Sequence, residues 1–281
     1  MGSNFSVLRL AQLAAIDFGI QFVGWAASSL LHTERLFDLT GSLTYWCLII
    51  RAYAFAHGGN SDVEGAPSTR QRAAAVMVLV WSLRLGAFLA KRAYKYGDSR
   101  FLKAKHDPGL FFIFWMIQGF WCLLTPLPGY LLLSQNIKDT VPLGLVDYAS
   151  WSLSAVGFVV EVVADWQKSA WRDAGNTQFV QSGLWRYCQH PNYFGEMLFW
   201  AAYCAPCFKA LHGWGAKAAS VASPVFVAFL LRFVSGVPLL QKAASAKYGS
   251  DPIFQAYSAG TSLIIPWFPS SSSLTETEPS E

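Results

Sequence analysis

Charged residues are scarce in this sequence, and their scarcity excludes most soluble folds. Asp, Glu, Lys and Arg make up 14% of the 281 residues, against about a quarter in a typical soluble domain. Apolar residues make up 53% and aromatic residues 16%. Because a chain that faces lipid needs few charges and many apolar and interfacial aromatic side chains, the composition predicts an integral membrane protein in contact with membrane lipids.

Motifs of several large enzyme classes are also missing. The sequence has no Walker A loop, no G-x-G-x-x-G after a strand, no H-E-x-x-H and no G-x-S-x-G, which argues against P-loop and Rossmann nucleotide binding, zinc proteases and serine hydrolases. The histidines are scattered, so no metal site is predicted. The net charge of +4 is small and its basic residues gather in loops, so no nucleic-acid partner is expected.

The cysteine pattern excludes a disulfide framework. There are five cysteines, an odd number without regular spacing. Cys204 and Cys207 have the C-x-x-C spacing of redox motifs, but they lie inside an apolar stretch. We therefore predict that they are packing thiols.

Seven apolar segments approach the length of roughly 20 residues that a spanning helix needs. They lie at about 10–31, 42–57, 72–90, 110–133, 145–164, 193–210 and 220–240. Arg51 makes the second segment the weakest, and Pro126 and Pro128 predict that the fourth bends or ends early. The sequence thus predicts an all-α, polytopic membrane bundle of about seven transmembrane helices. This bundle would form a single domain over residues 1–268, with a disordered acidic tail over 269–281.

The basic residues set the expected orientation in the membrane. The densest cluster follows the third predicted helix and contains Lys91, Arg92, Lys95, Arg100, Lys103 and Lys105. With this cluster in the cytosol, alternation of the spans also places residues 165–192 and the segment after residue 240 there. The polar segments then share one cytosolic face of a multi-pass protein, in the endoplasmic reticulum or another endomembrane.

A polar segment at residues 183–196 leads directly into the sixth predicted helix and ends in the string H-P-N-Y-F-G-E. Pro191 suits the first turn of a helix, whose free N–H groups form an anion site. His190, Asn192 and Tyr193 add hydrogen-bonding groups beside it. Glu196 lies one turn inside the helix, where a carboxylate is costly unless it is paired or functional. The alternative is an ordinary helix cap at the membrane boundary; we favour a binding site.

A second polar group recurs at helical spacing before that segment. Glu161, Asp165, Lys168 and Arg172 form one stripe on a helix that leaves the membrane. Carboxylates in this stripe can bind ribose hydroxyls, and its cations can bind phosphate. A set of structural ion pairs along the helix surface is the alternative.

Two arginines and one tyrosine complete the candidates. Arg84 lies about two turns inside the third predicted helix and either reaches the membrane surface or faces the site. Arg100 belongs to the basic cluster. Tyr257 lies in an amphiphilic C-terminal segment at 242–266, which either folds over the cytosolic face as a lid or forms a peripheral helix.

These segments resemble DUF1295, a family of membrane proteins similar to the steroid 5α-reductase C-terminal domain and related to sterol reductases and isoprenylcysteine methyltransferases. The resemblance lies in residues 184–196, the preceding stripe and the C-terminal K-Y-G…Y…I-P pattern, and extends over about 75–268. It implies a steroid 5α-reductase-like helical bundle that binds NADPH in a polar cavity open to the cytosol.

The resemblance also implies roles for individual residues. Asp165 and Arg172 would hold the adenine-side ribose and phosphates, Asn192 and Glu196 would lie beside the cofactor, and Tyr257 would close over it. Together with the candidates above, the residues expected to bind NADPH are Arg84, Arg100, Asp165, Lys168, Arg172, His190, Asn192, Tyr193, Glu196 and Tyr257.

The implied reaction is reduction of a carbon–carbon double bond in a lipophilic enone, sterol-like or polyprenoid, that reaches the site from the bilayer. Tyr193 and Glu196 are candidates for the proton donor, and no catalytic residue is assigned. The sequence departs from the steroid reductases at Glu161, where they have asparagine. It departs again at Trp81, where they have the tyrosine that polarises the substrate ketone.

Membrane methyltransferases share an Arg-His-Pro-x-Tyr-x-Gly pattern and bind S-adenosylmethionine at the same place. They usually carry paired glutamates where this sequence has Gln241 and Lys242. Cationic side chains suit a phosphate-bearing cofactor better than a sulfonium, which favours NADPH. A membrane methyltransferase and a non-catalytic lipid-binding sensor remain the alternatives.

Overall fold

The computed structural model describes residues 7–57, 68–135 and 141–269, and within these ranges all regular secondary structure is helical. The α-helices are α1 Val7–Leu30, α2 Phe37–His57, α3 Thr69–Tyr96, α4 Pro108–Leu124, α5 Leu127–Leu133, α6 Leu145–Asp173, α7 Pro191–Ala210, α8 Trp214–Phe229, α9 Val237–Tyr248 and α10 Pro252–Gly260. The all-α prediction is confirmed. Apart from residue 269, the predicted disordered tail falls outside the described residues.

Local sequence signals explain where several helices begin. Ser68 caps α3 through a reciprocal capping box with Gln71, which satisfies two of the free N–H groups of the first turn. Asp107 caps α4 and Asp251 caps α10, each followed by a proline in the first turn. These are positions where a missing proline N–H costs nothing.

Four helices of the described chain are long and apolar enough to cross a membrane. They are Val7–Leu30, Thr69–Tyr96, Leu145–Asp173 and the helical stretch Trp214–Tyr248. The pair α4 and α5 makes a fifth if its bend of 54° lies within one span. That bend falls at Thr125 and Pro126, as the prolines of the fourth segment predicted.

The predicted count of about seven spans is not confirmed. Helices occur at both remaining positions, as α2 with 21 residues and α7 with 20. Both carry charges, Asp38 and Arg51 in α2 and Glu196 and Lys209 in α7, and neither qualifies by its apolar content.

The third helix is longer than predicted at its C-terminal end. It continues to Tyr96, so Lys91, Arg92 and Lys95 lie on its last turns and not in a loop. Cationic side chains there lie next to the free carbonyl groups and the negative end of the helix dipole, which stabilises the added turns. The basic cluster is therefore partly helical.

The described residues divide into two compact units. The first contains those up to Asp147 together with Tyr203–Ser223, and the second contains Tyr148–Ala202 together with those from Pro224 onwards. In the first unit α1 packs on α4 and α2 packs on α3. Its buried aromatic core includes Phe37 and Trp115, and a Cβ at Gly24 would come within 2.3 Å of the Trp115 ring, so α1 and α4 pack closely at this point.

Buried polar contacts also hold the first unit together. The Arg70 guanidinium, 3% exposed, donates two hydrogen bonds to Asp147 at 2.6 and 2.9 Å, and Lys209 binds the same carboxylate at 3.0 Å. Gln21 donates to Asp17 and Thr44 at 3.0 and 3.1 Å, deep in the apolar helices. These contacts supply hydrogen-bond partners to side chains that are removed from water, which lowers the cost of burying them.

In the second unit α6 and α7 cross at two glycines. A Cβ built on Gly195 would lie 2.5 Å from the Gly157 carbonyl oxygen and 2.7 Å from the Glu161 nitrogen. A Cβ built on Gly157 would lie 2.6 Å from the Gly195 carbonyl oxygen. The backbones therefore touch, which only residues without a side chain permit.

Candidate functional site

The segment before α7 is fixed against α6 by hydrogen bonds. Gly183 adopts a φ of +61°, which favours glycine. The next residue, Leu184, donates its N–H to the Gln167 side chain at 3.0 Å. The Trp185 indole N–H donates to the Ala164 carbonyl at 3.1 Å. Residues 183–186 then form a single 3-10 turn, so the chain enters α7 from a defined position on α6.

The C-terminal segment holds the other side of the same stretch. The Tyr257 hydroxyl donates to the Trp185 carbonyl at 2.7 Å. The Gln189 side chain donates to the Ser258 and Thr261 carbonyls at 2.9 and 2.7 Å, and the Trp267 N–H donates to the Tyr187 carbonyl at 3.0 Å. The C-terminal segment therefore folds back onto residues 185–189 and braces them.

His190 lies directly before the first residue of α7, and its imidazole is 7% exposed. Neither ring nitrogen has a hydrogen-bond partner among the described residues. The ring of Tyr193 stacks on it, with centroids 5.5 Å apart and planes 21° apart. A buried polar group without a partner costs about 1–3 kcal/mol, so both nitrogens are available to a ligand that supplies hydrogen-bonding atoms.

Asn192 and Asp165 bring the two predicted motifs together. The Asn192 amide nitrogen donates to the Asp165 carboxylate at 3.2 Å. The amide oxygen of Asn192 is buried and has no hydrogen-bond partner among the described residues. The Asp165 carboxylate orients this amide, and the oxygen of the amide remains able to accept a hydrogen bond.

Two cations act on His190. Burial is the largest cause that lowers the pKa of His190, to about 4, and the positive charges of Lys168 and Arg232 lower it further. The imidazole is therefore neutral near pH 7. Lys168 also lies over the Trp185 ring, with its ammonium 4.9 Å from the centroid. Two positive charges thus act on His190 before any ligand binds.

Glu161 and Glu196 are buried on the facing helices α6 and α7, at 2% and 7% exposure. The backbone of Glu161 borders the glycine crossing, and Glu196 follows Gly195 directly. Arg172 is exposed in the last turn of α6. The predicted stripe therefore runs along one helix from a buried carboxylate at Glu161 to an exposed cation at Arg172.

Sequence comparison assigns the family. Residues 24–261 match the family described as "Protein of unknown function (DUF1295)". The chain belongs to DUF1295. The match begins well before residue 75, where the resemblance in the motifs begins, so it includes α2 and the end of α1. Comparisons with curated proteins and with solved structures found no match.

Eight of the ten predicted site residues of this DUF1295 protein lie in its second unit, on α6, on α7 and its leading residue, and on α10. Arg84 and Arg100 lie in the first unit. The Arg84 guanidinium lies 5.4 Å from the Phe88 ring centroid. The Arg100 guanidinium binds the Asp98 carboxylate, with its Nε at 2.9 Å from each oxygen. That contact supplies a structural partner for Arg100.

Sequence reasoning missed Arg232 and gave Gln189 no role. Arg232 lies in a π-helical segment, Leu230–Val234, between α8 and α9 of the DUF1295 chain. Single π turns inside helices often occur at functional sites, and an arginine near the end of an apolar stretch is itself a signal. Nothing in the sequence indicates that Gln189 binds the C-terminal segment.

Proposed function

We propose that this DUF1295 protein is an NADPH-dependent reductase that reduces a carbon–carbon double bond in a lipophilic enone. One observation carries the proposal: the buried imidazole of His190, which has no hydrogen-bond partner among the described residues, precedes the first turn of α7, and two cations act on it. The free N–H groups of a helix N-terminus favour anions. A phosphate-bearing cofactor combines negative charge with hydrogen-bonding oxygens, and it would give His190 the partners that it lacks.

Three cations, Lys168, Arg232 and Arg172, could each bind a phosphate group of such a cofactor. Lys168 and Arg232 act on His190, so a phosphate bound beside that imidazole would meet two positive charges. Arg172 lies one turn beyond Lys168 on α6, within the same stripe and nearer the end of the helix. A carboxylate that orients an amide, as Asp165 orients Asn192, is suited to ribose hydroxyls and amide groups.

The chemistry of reduction would come from the cofactor, since NADPH when bound supplies a hydride. The protein has to orient the partners, exclude water and provide a proton. Tyr193 and Glu196 are the candidates for the proton: Tyr193 is half-buried beside His190, and Glu196 is buried one turn into α7. A proton donor in a water-poor site is effective when it lies within hydrogen-bond reach of the reacting atom.

The membrane context supports a lipophilic substrate. Four or five helices of the described chain can cross a membrane, so a steroid-like or polyprenoid enone would reach the protein from the bilayer. NADPH would bind from the cytosol, on the side where α6 ends and α7 begins. We propose an endoplasmic reticulum or other endomembrane location with this face in the cytosol, on the distribution of basic residues.

Cofactor binding to the detergent-purified protein tests the proposal. NADPH, NADH and S-adenosylmethionine are compared on wild type, on the double variant Asp165→Ala/Arg172→Ala and on Lys168→Met. We expect wild type to bind NADPH selectively and both variants to bind it at least tenfold more weakly. Lys103→Met, which removes an exposed cation of the first unit, is the matched control and should bind like wild type.

The other outcomes separate the alternatives. Selective binding of S-adenosylmethionine would replace the reductase with a membrane methyltransferase. Binding of none of the three would end the enzyme proposal and leave a lipid-binding sensor. If NADPH binds and Asp165→Ala/Arg172→Ala binds it equally well, the site lies elsewhere in the protein. Substrate screening with lipophilic enones follows only after selective NADPH binding.

A further inference from the structure

The two ring nitrogens of neutral His190 cannot both be satisfied by a phosphate ligand. A neutral imidazole has one N–H donor and one acceptor nitrogen, whereas phosphate oxygens mainly accept hydrogen bonds. Both nitrogens of His190 are buried and lack partners among the described residues. A phosphate can therefore satisfy one nitrogen of the neutral ring but not the second, whereas a protonated ring offers two donors.

We infer that the phosphate of the ligand binds at His190 and favours the protonated form of its ring, so that the site takes up protons, at most one per ligand, as it fills. The inference rests on the proposed function, since it concerns the same site, and it specifies the ligand group as a dianionic phosphate monoester. Charge-assisted hydrogen bonds from an imidazolium to phosphate are shorter and about twice as strong as neutral ones.

Burial and the neighbouring charges explain why the His190 imidazole is neutral before a ligand binds. Burial, Lys168 and Arg232 together hold the pKa of His190 at about 4, so an extra positive charge is unfavourable near pH 7. On α6 the Asp165 carboxylate accepts a hydrogen bond from Asn192, two residues after His190. The ionisable groups of the residues that surround the imidazole along these elements include Glu161, Asp165, Lys168 and Arg172 on α6, Arg186, Tyr187 and Cys188 before α7, Tyr193 and Glu196 on α7, Arg232 after α8, and Tyr257 on α10.

A bound dianion makes the protonated form of His190 more favourable. A phosphate monoester carries up to two negative charges, which offset the charges of Lys168 and Arg232. One negative charge at about 4 Å in a partly buried site favours the protonated ring by about a thousandfold. Applied to a pKa of about 4, a change of this size brings the bound imidazole close to half-protonated at pH 7.

Proton uptake has a consequence for affinity. If His190 gains a proton on binding, affinity falls as the pH rises, by up to about tenfold per pH unit between the pKa of the free site and that of the bound site. Below pH 4 the free ring is already protonated and the dependence disappears. A ligand without a dianionic phosphate should show little of this dependence.

Titration calorimetry of NADPH into the detergent-purified protein at pH 7 tests the inference. The heat is measured in buffers of different ionisation enthalpy, which gives the number of protons taken up. The 2′-phosphate of the free ligand titrates near pH 6, and this starting state is the same for every variant. We expect wild type to take up about half a proton more than His190→Gln. We also expect His190→Gln to lose most of the decline in affinity between pH 6 and pH 8.

Each outcome decides a different point. Equal proton uptake by wild type and His190→Gln overturns the inference and leaves the reductase proposal standing. The same pH dependence of NADPH affinity in wild type and His190→Gln between pH 6 and pH 8 overturns it too. Absence of NADPH binding by wild type removes the proposed function and the inference together. His190→Asn is a second variant, and a melting curve of each variant confirms that it is folded before its protons are counted.

Discussion

Replacing Gly195 by alanine is the most direct test of how the second unit is built. The added Cβ would lie 2.5 Å from the Gly157 carbonyl oxygen and 2.7 Å from the Glu161 nitrogen. Both atoms belong to the backbone of α6, so no side chain can rotate away. The two helices must therefore separate by about 1 Å to restore an ordinary contact.

The expected cost follows from that geometry. Inserting one methyl group into a close-packed contact costs about 1–3 kcal/mol. A loss of about 2 kcal/mol lowers the midpoint of thermal unfolding of a chain of this size by roughly 5 °C. The reciprocal variant Gly157→Ala meets the Gly195 carbonyl at 2.6 Å and the Phe199 nitrogen at 2.7 Å, so we expect a loss of similar size.

The assay is thermal unfolding in detergent, with Gly19→Ala as the matched control. Gly19 lies exposed in α1, and a Cβ there meets nothing within 4 Å. Because alanine favours helix over glycine by about 1 kcal/mol, Gly19→Ala should leave the midpoint unchanged or raise it. A Gly195→Ala midpoint as high as that of Gly19→Ala would refute the close crossing of α6 and α7.

Three further predictions concern the ion pair, the imidazole and the amide. Arg70→Ala should destabilise the first unit by about 3 kcal/mol because it leaves the buried Asp147 carboxylate without its bidentate partner, whereas Arg72→Ala, at an exposed position, should unfold like wild type. The pKa of His190 is about 4 in the folded chain against an ordinary value of 6.5. The unfolded chain therefore binds more protons between these values, and stability falls by up to about 3 kcal/mol as the pH drops from 6.5 to 4. Melting curves of wild type and His190→Gln at pH 7 and pH 4.5 check this, since wild type should lose more stability than the variant. Asn192→Asp places a second carboxylate against Asp165, 3.2 Å from the present amide nitrogen, and should weaken NADPH binding by about tenfold or more while Asn176→Asp, at an exposed site, should not.

Sequence reasoning located the helices well because their signals are local. Apolar runs, capping residues and prolines act within a few positions of one another, so the start of α7 at Pro191 and the break after α4 could both be predicted. The number of spans could not, because a helix such as α2 satisfies the length requirement and still carries charges. Whether it crosses a membrane depends on its surroundings and not on its own residues.

The candidate site was predictable only in part, because some of its contacts join residues that are far apart in the sequence. His190, Asn192 and Asp165 belong to dense polar strings, and such strings stand out in an apolar chain. Arg232 is a single cation in an apolar stretch, and its approach to His190 depends on how the chain folds after α8. The hydrogen bonds from the Gln189 side chain to the Ser258 and Thr261 carbonyls connect positions about 70 residues apart. No periodicity in the sequence indicates that contact.

The position of the site follows from the position of the glycine crossing. On α6 the crossing reaches Glu161, and Asp165 lies one turn further along. On α7 the crossing is at Gly195, and Asn192 lies about one turn before it. Because the two helices run in opposite directions there, these single turns bring Asp165 and Asn192 to the same level, where they meet at 3.2 Å. A separation of about 1 Å at the crossing would stretch that hydrogen bond beyond its normal range. Gly195→Ala should therefore weaken NADPH binding as well as stability, although Gly195 itself has no group with which to hold a cofactor.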